Sequence, residues 1–154
     1  MNGSATVVRS GCMAKDADMI LSEFILLGIG GKELSEENAA QTAKALNIIQ
    51  PDFIRVHATG IKLESKLGEF VRDGSFTLQS EEGIVIEQKL FLQQLHEMDS
   101  YYVNEHIVNL LLEVRGNLRT EKQEMLSTID RFLTLPPDER LLFTVGRRLN
   151  IFFR

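Results

Sequence analysis

The sequence has one cysteine, Cys12, no tryptophan and only three prolines among 154 residues. A single cysteine cannot form a disulfide within the chain and supplies no cysteine-rich metal site. No apolar run approaches the roughly 20 residues of a membrane-spanning helix. The opening residues, MNGSATVVRSG, lack the basic and apolar regions of a secretion signal. These absences predict a cytoplasmic protein without a metal site or a membrane partner.

Positive charge is also scarce. Lysine and arginine total 17 against 22 aspartates and glutamates, which gives a net charge of -5. Binding to a phosphate backbone needs a basic surface, so nucleic acid is not a predicted partner. The chain is 44% hydrophobic and 25% charged, as is usual for a globular protein. Its length is sufficient for one domain with a real core.

Residues 20 to 58 have the pattern of a β-α-β unit. The first strand, residues 20–27, has apolar side chains on both faces, as a parallel strand covered on each side requires. A helix capped by Ser35 then runs to about residue 49. The second strand covers residues 52–58. Because such crossovers join parallel strands, the two strands are predicted to lie parallel in one sheet.

The rest of the chain favours helices. Capping signals and 3.6-residue periods mark their positions, and Tyr-Tyr-Val favours a short strand. Two helices are predicted over residues 5–17 and 64–73, and three more begin at Ser80, at a Thr120–Gln123 capping box and at Pro137. The predicted strand covers residues 100–103, and residues 105–114 form a short helix or turn. The change from β/α to helical pattern predicts a boundary near residue 80.

The glycine turn after the first strand, with Gly28, Gly30 and Gly31, has two interpretations. Glycines permit the positive φ of a tight strand-to-helix turn. Turns at the carboxyl ends of such strands are also where α/β proteins bind ligands. The turn is not a dinucleotide fingerprint, because Glu33 stands where GxGxxG requires its third glycine. It is not a Walker loop either, since no Gly-Lys-Ser/Thr follows.

Three phrases in this order resemble a known family. LLGIGGKE before a capped helix, then PDFIRVHATG, then LESKLGEFVRDGSF, are similar to the later part of a radical S-adenosylmethionine (SAM) barrel of the elongator-type class. The third phrase departs from that family, because Glu64, Ser65 and Lys66 replace its usual Gly, Thr/Ser and Pro. The segment from Tyr101 through HIVNLL and EKQEMLSTIDRFL resembles the C-terminal extension of one bacterial branch.

The resemblance implies an α/β fold in which residues 1–80 are the late strands of a TIM-like (β/α) barrel and residues 81–154 form a helical C-terminal subdomain. It implies a full-length protein that cleaves SAM at a [4Fe–4S] cluster and abstracts hydrogen from an unknown substrate. Gly28, Gly30 and Gly31 would then contact the adenosine of SAM. The family's CxxxCxxC cluster loop is absent, because Cys12 is the only cysteine. The chain alone is therefore expected to be inactive.

Polar side chains on the two strands are the candidate substrate-binding residues. Arg55 and His57 share one face, where they either meet solvent or point into a closed barrel. Inside a barrel, Arg55 would bind a carboxylate or phosphate, and His57 would donate a proton or hydrogen bond. Glu23 is predicted to pair with Arg55 within the sheet. His106, which lies in no metal-ligand spacing, is predicted to be a surface histidine, and no catalytic residue is assigned.

Two kinds of partner follow from these expectations. If the chain is part of a barrel, its partner is the missing N-terminal half of that barrel. Partial barrels expose strand edges and apolar faces, which also favour self-association. The alternative hypothesis is therefore a non-catalytic α/β association module that pairs with another chain.

Overall fold

Ten helices and strands make up the part of the chain that the computed structural model describes, residues 3–62 and 64–152. In chain order they are α1 (Gly3–Asp16), β1 (Ser22–Leu27), α2 (Ser35–Ile49), β2 (Phe53–Ala58), α3 (Lys66–Arg72), α4 (Glu81–Gln94), β3 (Tyr101–Val103), β4 (Gly116–Asn117), α5 (Lys122–Leu133) and α6 (Pro137–Phe152). The predicted mixed α/β class is confirmed. None of these helices is both long and apolar enough to span a bilayer.

The four strands form one mostly parallel sheet in the order β1-β2-β3-β4. β1, β2 and β3 are parallel, with Ile25 opposite Val56 and Ile54 opposite Tyr102. The β-α-β unit and the short strand near residue 100 are therefore confirmed. β4 pairs antiparallel with β3 and was not predicted. Residues 105–114 contain turns and no helix.

The core lies on one face of the sheet. Alternate side chains of the strands are buried there, including Ile25, Ile54 and Val56. They pack against apolar side chains of α2, α4 and α5 in one cluster. The other face of β1 is bare in the described residues, where Phe24 is 64% exposed and Leu26 is 47% exposed. The prediction that β1 is covered on both sides is therefore wrong for this part of the chain.

One core extends across residue 80. It joins Ala43 and Leu46 of α2 to Phe91 and Leu92 of α4, and α5 adds Ile129. α4 packs along α2 and also meets β1. The residues on either side of the predicted boundary thus share their buried surface.

Of the three predicted N-terminal helix caps, one is present in the structure and two are not. Ser80 Oγ accepts the Gly83 N–H at 3.0 Å and caps α4 as predicted. Ser35 does not cap α2, because its hydroxyl donates to a buried carboxyl group on α4. The Thr120–Gln123 capping box is also absent: α5 begins one residue later than that motif requires, with Glu121 at its N-cap position and no side-chain capping bond.

The helix α1 packs against α2 through Gly11. A Cβ atom at Gly11 would lie only 2.7 Å from Cγ2 of the buried Ile49. The sequence suggested only that this glycine weakens a helix, whereas the structure shows that it permits a close helix contact. Lys15 of α1 adds a salt bridge of 2.7 Å to Asp52, just before β2.

The last helix docks through its arginines. Arg148 donates to both carboxyl oxygens of Glu81, at the start of α4, over 2.6–3.0 Å, and also to the Val108 carbonyl. Arg147 pairs with Glu113. These contacts hold α6 against α4 and the segment after β3.

Candidate functional site

The uncovered side of the sheet presents polar and aromatic side chains together. We define this open sheet face by residues that the register places side by side: Ser22, Phe24 and Leu26 of β1, Phe53, Arg55 and His57 of β2, and Tyr101 and Val103 of β3. Such alternation is the ordinary pleat of a strand. The unusual feature is that an arginine and a histidine occupy the middle of a partly exposed, mostly apolar face.

Arg55 is held by its neighbours on this face. Its Nε donates to Ser22 Oγ at 3.1 Å, and its guanidinium carbon lies 5.9 Å from the centre of the Phe53 ring. No acidic partner of Arg55 occurs among the described residues. Its terminal nitrogens therefore remain available to a ligand.

The predicted pair of Arg55 with Glu23 is wrong. The register places Phe24 opposite Arg55 and Glu23 opposite Ile54, so the two charges lie on opposite faces of the sheet. Glu23 points toward the side of the helices, where partial burial raises the pKa of its carboxyl group. A carboxyl group there lies outside the site that contains Arg55 and His57.

His57 is part of an aromatic stack. Its ring lies 4.0 Å from that of His106, centre to centre and nearly parallel, and the Phe24 ring meets it edge-on at 5.4 Å. Burial lowers the pKa of His57, and the positive charges of His106 and Arg55 lower it further. His106 is exposed, as predicted. Its contact with His57 was not predicted, because the two are 49 residues apart.

A cavity of about 210 Å³ lies beside these groups. Its lining includes Phe24, Arg55, His57, Val103, Glu105 and His106. Glu105 is the only acidic residue in that lining, and it pairs with Arg115 at 3.1 Å. The cavity is therefore locally basic, although the whole chain carries a net charge of -5.

The glycine turn has the structural role that positive φ predicts. Gly28 has φ of 78° and Gly31 has φ of 63°. The Gly28 N–H donates to Glu87 at 3.0 Å, and the Gly31 N–H donates to the Gly28 carbonyl at 3.1 Å. A Cβ atom at Gly30 would lie 2.8 Å from the Leu34 carbonyl oxygen. Two of the three N–H groups are thus used within the protein, and contact of the turn with adenosine stays a prediction.

Glu87 organises this turn and was missed in the sequence. It is fully buried in α4. Its carboxyl group accepts hydrogen bonds from Gly28 N–H at 3.0 Å, Ser35 Oγ at 2.5 Å and Asn38 Nδ2 at 2.7 Å. The available signal was its spacing: Glu87 lies three residues after Ile84 and four before Phe91, within the apolar stripe of its helix.

Asn109 performs a similar task at the end of β2. β3 pairs with β2 only as far as Arg55. Beyond that point the buried Asn109 amide accepts the Ala58 N–H at 2.7 Å and donates to the Val56 carbonyl at 2.6 Å. One side chain thus replaces the missing strand and fixes the end of β2 beside the cavity.

The residues present do not fit a [4Fe–4S] cluster. Such a cluster is held by several cysteine thiolates, whereas this sequence contains only Cys12. Among the described residues, no group of three or more histidine, cysteine or acidic side chains is placed to hold a metal ion. Any cluster that acts with this chain must therefore be bound by other residues.

Comparisons of the chain with protein-family models, with curated proteins and with solved structures give no match.

Proposed function

We propose that this chain is the C-terminal part of a radical SAM protein of the elongator-type class and forms one wall of its substrate cavity. The supporting observation is the sidedness of the sheet. In a (β/α) barrel the helices lie outside and the inward side chains fill or line the interior. Here α2, α4 and α5 cover one face, and the open face carries Arg55 and His57.

In this proposal the residues of the chain position a substrate and do not perform the radical step. A bound cluster would supply the electron that cleaves SAM, and the chain lacks the thiolates to hold it. Arg55 and His57 would contact the substrate, and the turn with Gly28, Gly30 and Gly31 would contact the adenosine of SAM. Glu23 is left out of the substrate site because it lies on the helix side. The proposal places the protein in the cytoplasm.

The test joins this chain to the coding sequence on the 5′ side of Met1. The proposal expects that sequence to encode a barrel half with CxxxCxxC, in the same frame or in an adjacent gene. The joined or co-expressed protein should bind an iron–sulfur cluster after anaerobic reconstitution and release 5′-deoxyadenosine from SAM. Replacing its three cysteines with alanine is the control and should abolish that release. A coding sequence without this motif would overturn the proposal.

A second candidate is a non-catalytic association module. It is favoured by β1, which is an edge strand in the described residues and also carries the exposed Phe24 and Leu26. An unpaired edge beside an apolar face is a template for pairing with another chain. Light scattering during gel filtration distinguishes the candidates: a stable dimer that Phe24→Asp dissociates supports association. The exposed helical Ile48→Asp is the control, and a monomer at all concentrations contradicts self-association.

A further inference from the structure

We propose that Arg55, His57 and His106 form a binding site for the anionic group of a small molecule, a carboxylate or a phosphate. This inference deepens the proposed function, because it names the chemical class of the substrate at the open sheet face. The site combines one permanent cation, two imidazoles that can donate hydrogen bonds, and a cavity beside them.

The guanidinium group of Arg55 offers a pair of hydrogen-bond donors to an anion. The bond from Arg55 Nε to Ser22 Oγ fixes one edge of the guanidinium. The two terminal nitrogens form a planar pair of donors without a protein acceptor in the described part of the chain, and Arg55 is part of the cavity lining. Paired donors of this kind match the oxygens of carboxylate and phosphate groups.

The side chains that line the cavity favour a negatively charged ligand. Arg55 and the two histidines line one side of the cavity, and Glu105, the acidic group in that lining, is engaged by Arg115. The mutual repulsion of these cations contributes to the low pKa of His57. An anion placed between them would remove that repulsion and favour protonation of the imidazoles. Among the described residues, His57 interacts with Arg55, His106 and Phe24, and Glu105 lines the same cavity.

The size and position of the cavity also fit a small anionic group. The cavity of about 210 Å³ is smaller than a pocket for a drug-sized ligand and suits a single anionic group. Its lining includes the middle of β1, residues 55–57 of β2 and the carboxyl end of β3, and α/β sheets bind ligands at the carboxyl ends of their strands. The remainder of a larger substrate would extend over the exposed Phe24 and Leu26.

The experiment is an NMR titration of the whole chain with inorganic phosphate and, separately, with acetate. The imidazole Cε1–H signals of His57 and His106 should move in a saturable manner, and the pH at which the His57 signal titrates should rise. The His96 signal, from another element, reports any general effect of salt. A response to acetate alone indicates a carboxylate site, a response to phosphate alone indicates a phosphate site, and equal responses indicate a site that accepts either anion.

Two arginine variants test whether Arg55 contributes to anion binding. Arg55→Gln should raise the Kd for phosphate about tenfold, as expected for losing hydrogen bonds to a charged group. Arg9→Gln removes the same charge from the exposed side of α1 and should leave the Kd unchanged. The wild-type titration decides the matter even if Arg55→Gln fails to fold: movement of His57 and His106 no larger than that of His96 overturns the inference. Because the probe is phosphate and this chain alone, the result is independent of the test for SAM cleavage.

Discussion

At the scale of single residues, buried polar side chains fix the glycine turn and the strand ends of this fold. Glu87 is fully buried and satisfies donors from a turn and from α2. Removing one partner from such a network leaves the others unpaired in the buried interior. The same residue scale also contains His57, a titratable group whose pKa is lowered by burial and by its charged neighbours.

Glu87→Ala should lower the free energy of unfolding by about 2–4 kcal/mol, because it leaves the Gly28 N–H and the Ser35 hydroxyl without their acceptor and removes one of the two acceptors of the Asn38 amide. Glu87→Gln should be milder, since its amide oxygen still accepts from Gly28 and the Ser35 hydroxyl can turn to accept from the new NH₂. Urea unfolding monitored by circular dichroism measures both. Glu36→Ala, on the exposed first turn of α2, is the control. Equal stability of the Glu87→Ala and Glu36→Ala proteins would contradict the network.

The stability of the protein should fall as pH falls below about 6.5, in part because of His57. Its pKa in the folded protein lies below the ordinary value of 6.5. Between these two values the unfolded chain binds more protons, so the free energy of unfolding rises with pH. His57→Gln should reduce that slope in urea unfolding at a series of pH values. His96→Gln removes an imidazole outside the stack and serves as control; an unchanged slope in His57→Gln would refute the prediction.

At the scale of elements, glycine decides how closely two helices approach. Gly11 of α1 contacts Ile49 of α2, with room for no additional carbon atom. Gly146 in α6 has no heavy atom within 4 Å of where its Cβ would lie. A substitution at Gly146 therefore tests only the helix propensity of the new residue, whereas the same substitution at Gly11 also tests the packing between two helices.

Gly11→Ala should destabilise the protein by about 1–3 kcal/mol through overpacking, although alanine is the better helix former. Gly146→Ala should stabilise it by up to about 1 kcal/mol, because only the helix preference changes. Thermal and urea unfolding of the two variants give the comparison. In a double-mutant cycle, Gly11→Ala should cost less when Ile49 is already alanine. If Gly11→Ala stabilises as Gly146→Ala does, the close contact is wrong.

Elements with local signals were predictable, and those defined by distant contacts were not. β1, α2 and β2 follow from apolar runs separated by glycines and Pro51. The bare face of β1 did not follow, because apolar residues on both faces look the same whether the second layer belongs to this chain or to another. β4 has two residues and no period. Ser35 resembles a cap in the sequence, and only the arrival of Glu87 from 52 residues away changes its role.

The candidate site was predictable only in part, for a similar reason. Arg55 and His57 share a face because strands alternate, and that local rule identified them. His106 joins them through the course of the chain after β3, which has no repeating pattern. The error over Glu23 came from register: a shift of one residue places a side chain on the other face.

At the scale of the whole molecule, one core serves both halves of the sequence. The cluster that begins with Ile25 in β1 continues to Phe132 in α5. The opposite side of the sheet is open in the described residues. In the described residues, helices thus cover one face of the sheet, and polar and apolar side chains on the other face meet solvent.

The chain should therefore unfold in a single transition. Val56→Ala in β2 and Ile129→Ala in α5 each create a cavity in the shared core and should cost about 1–5 kcal/mol. Far-UV circular dichroism and the near-UV tyrosine signal should shift together in both variants, since the tyrosine at position 102 is buried in that core. Two separated transitions, one affected by each variant, would instead support independent folding on either side of residue 80.

The ends of β1 and β2 are fixed by buried side chains before any ligand arrives. Glu87 holds the Gly28 N–H, and Asn38 donates to the Leu26 carbonyl at 3.0 Å. Asn109 holds both backbone groups at the end of β2. A molecule that binds at this end of the sheet meets a backbone that is already ordered. Its affinity is therefore not reduced by the entropy of ordering these strand ends, so the rim of the open sheet face is preorganised for binding.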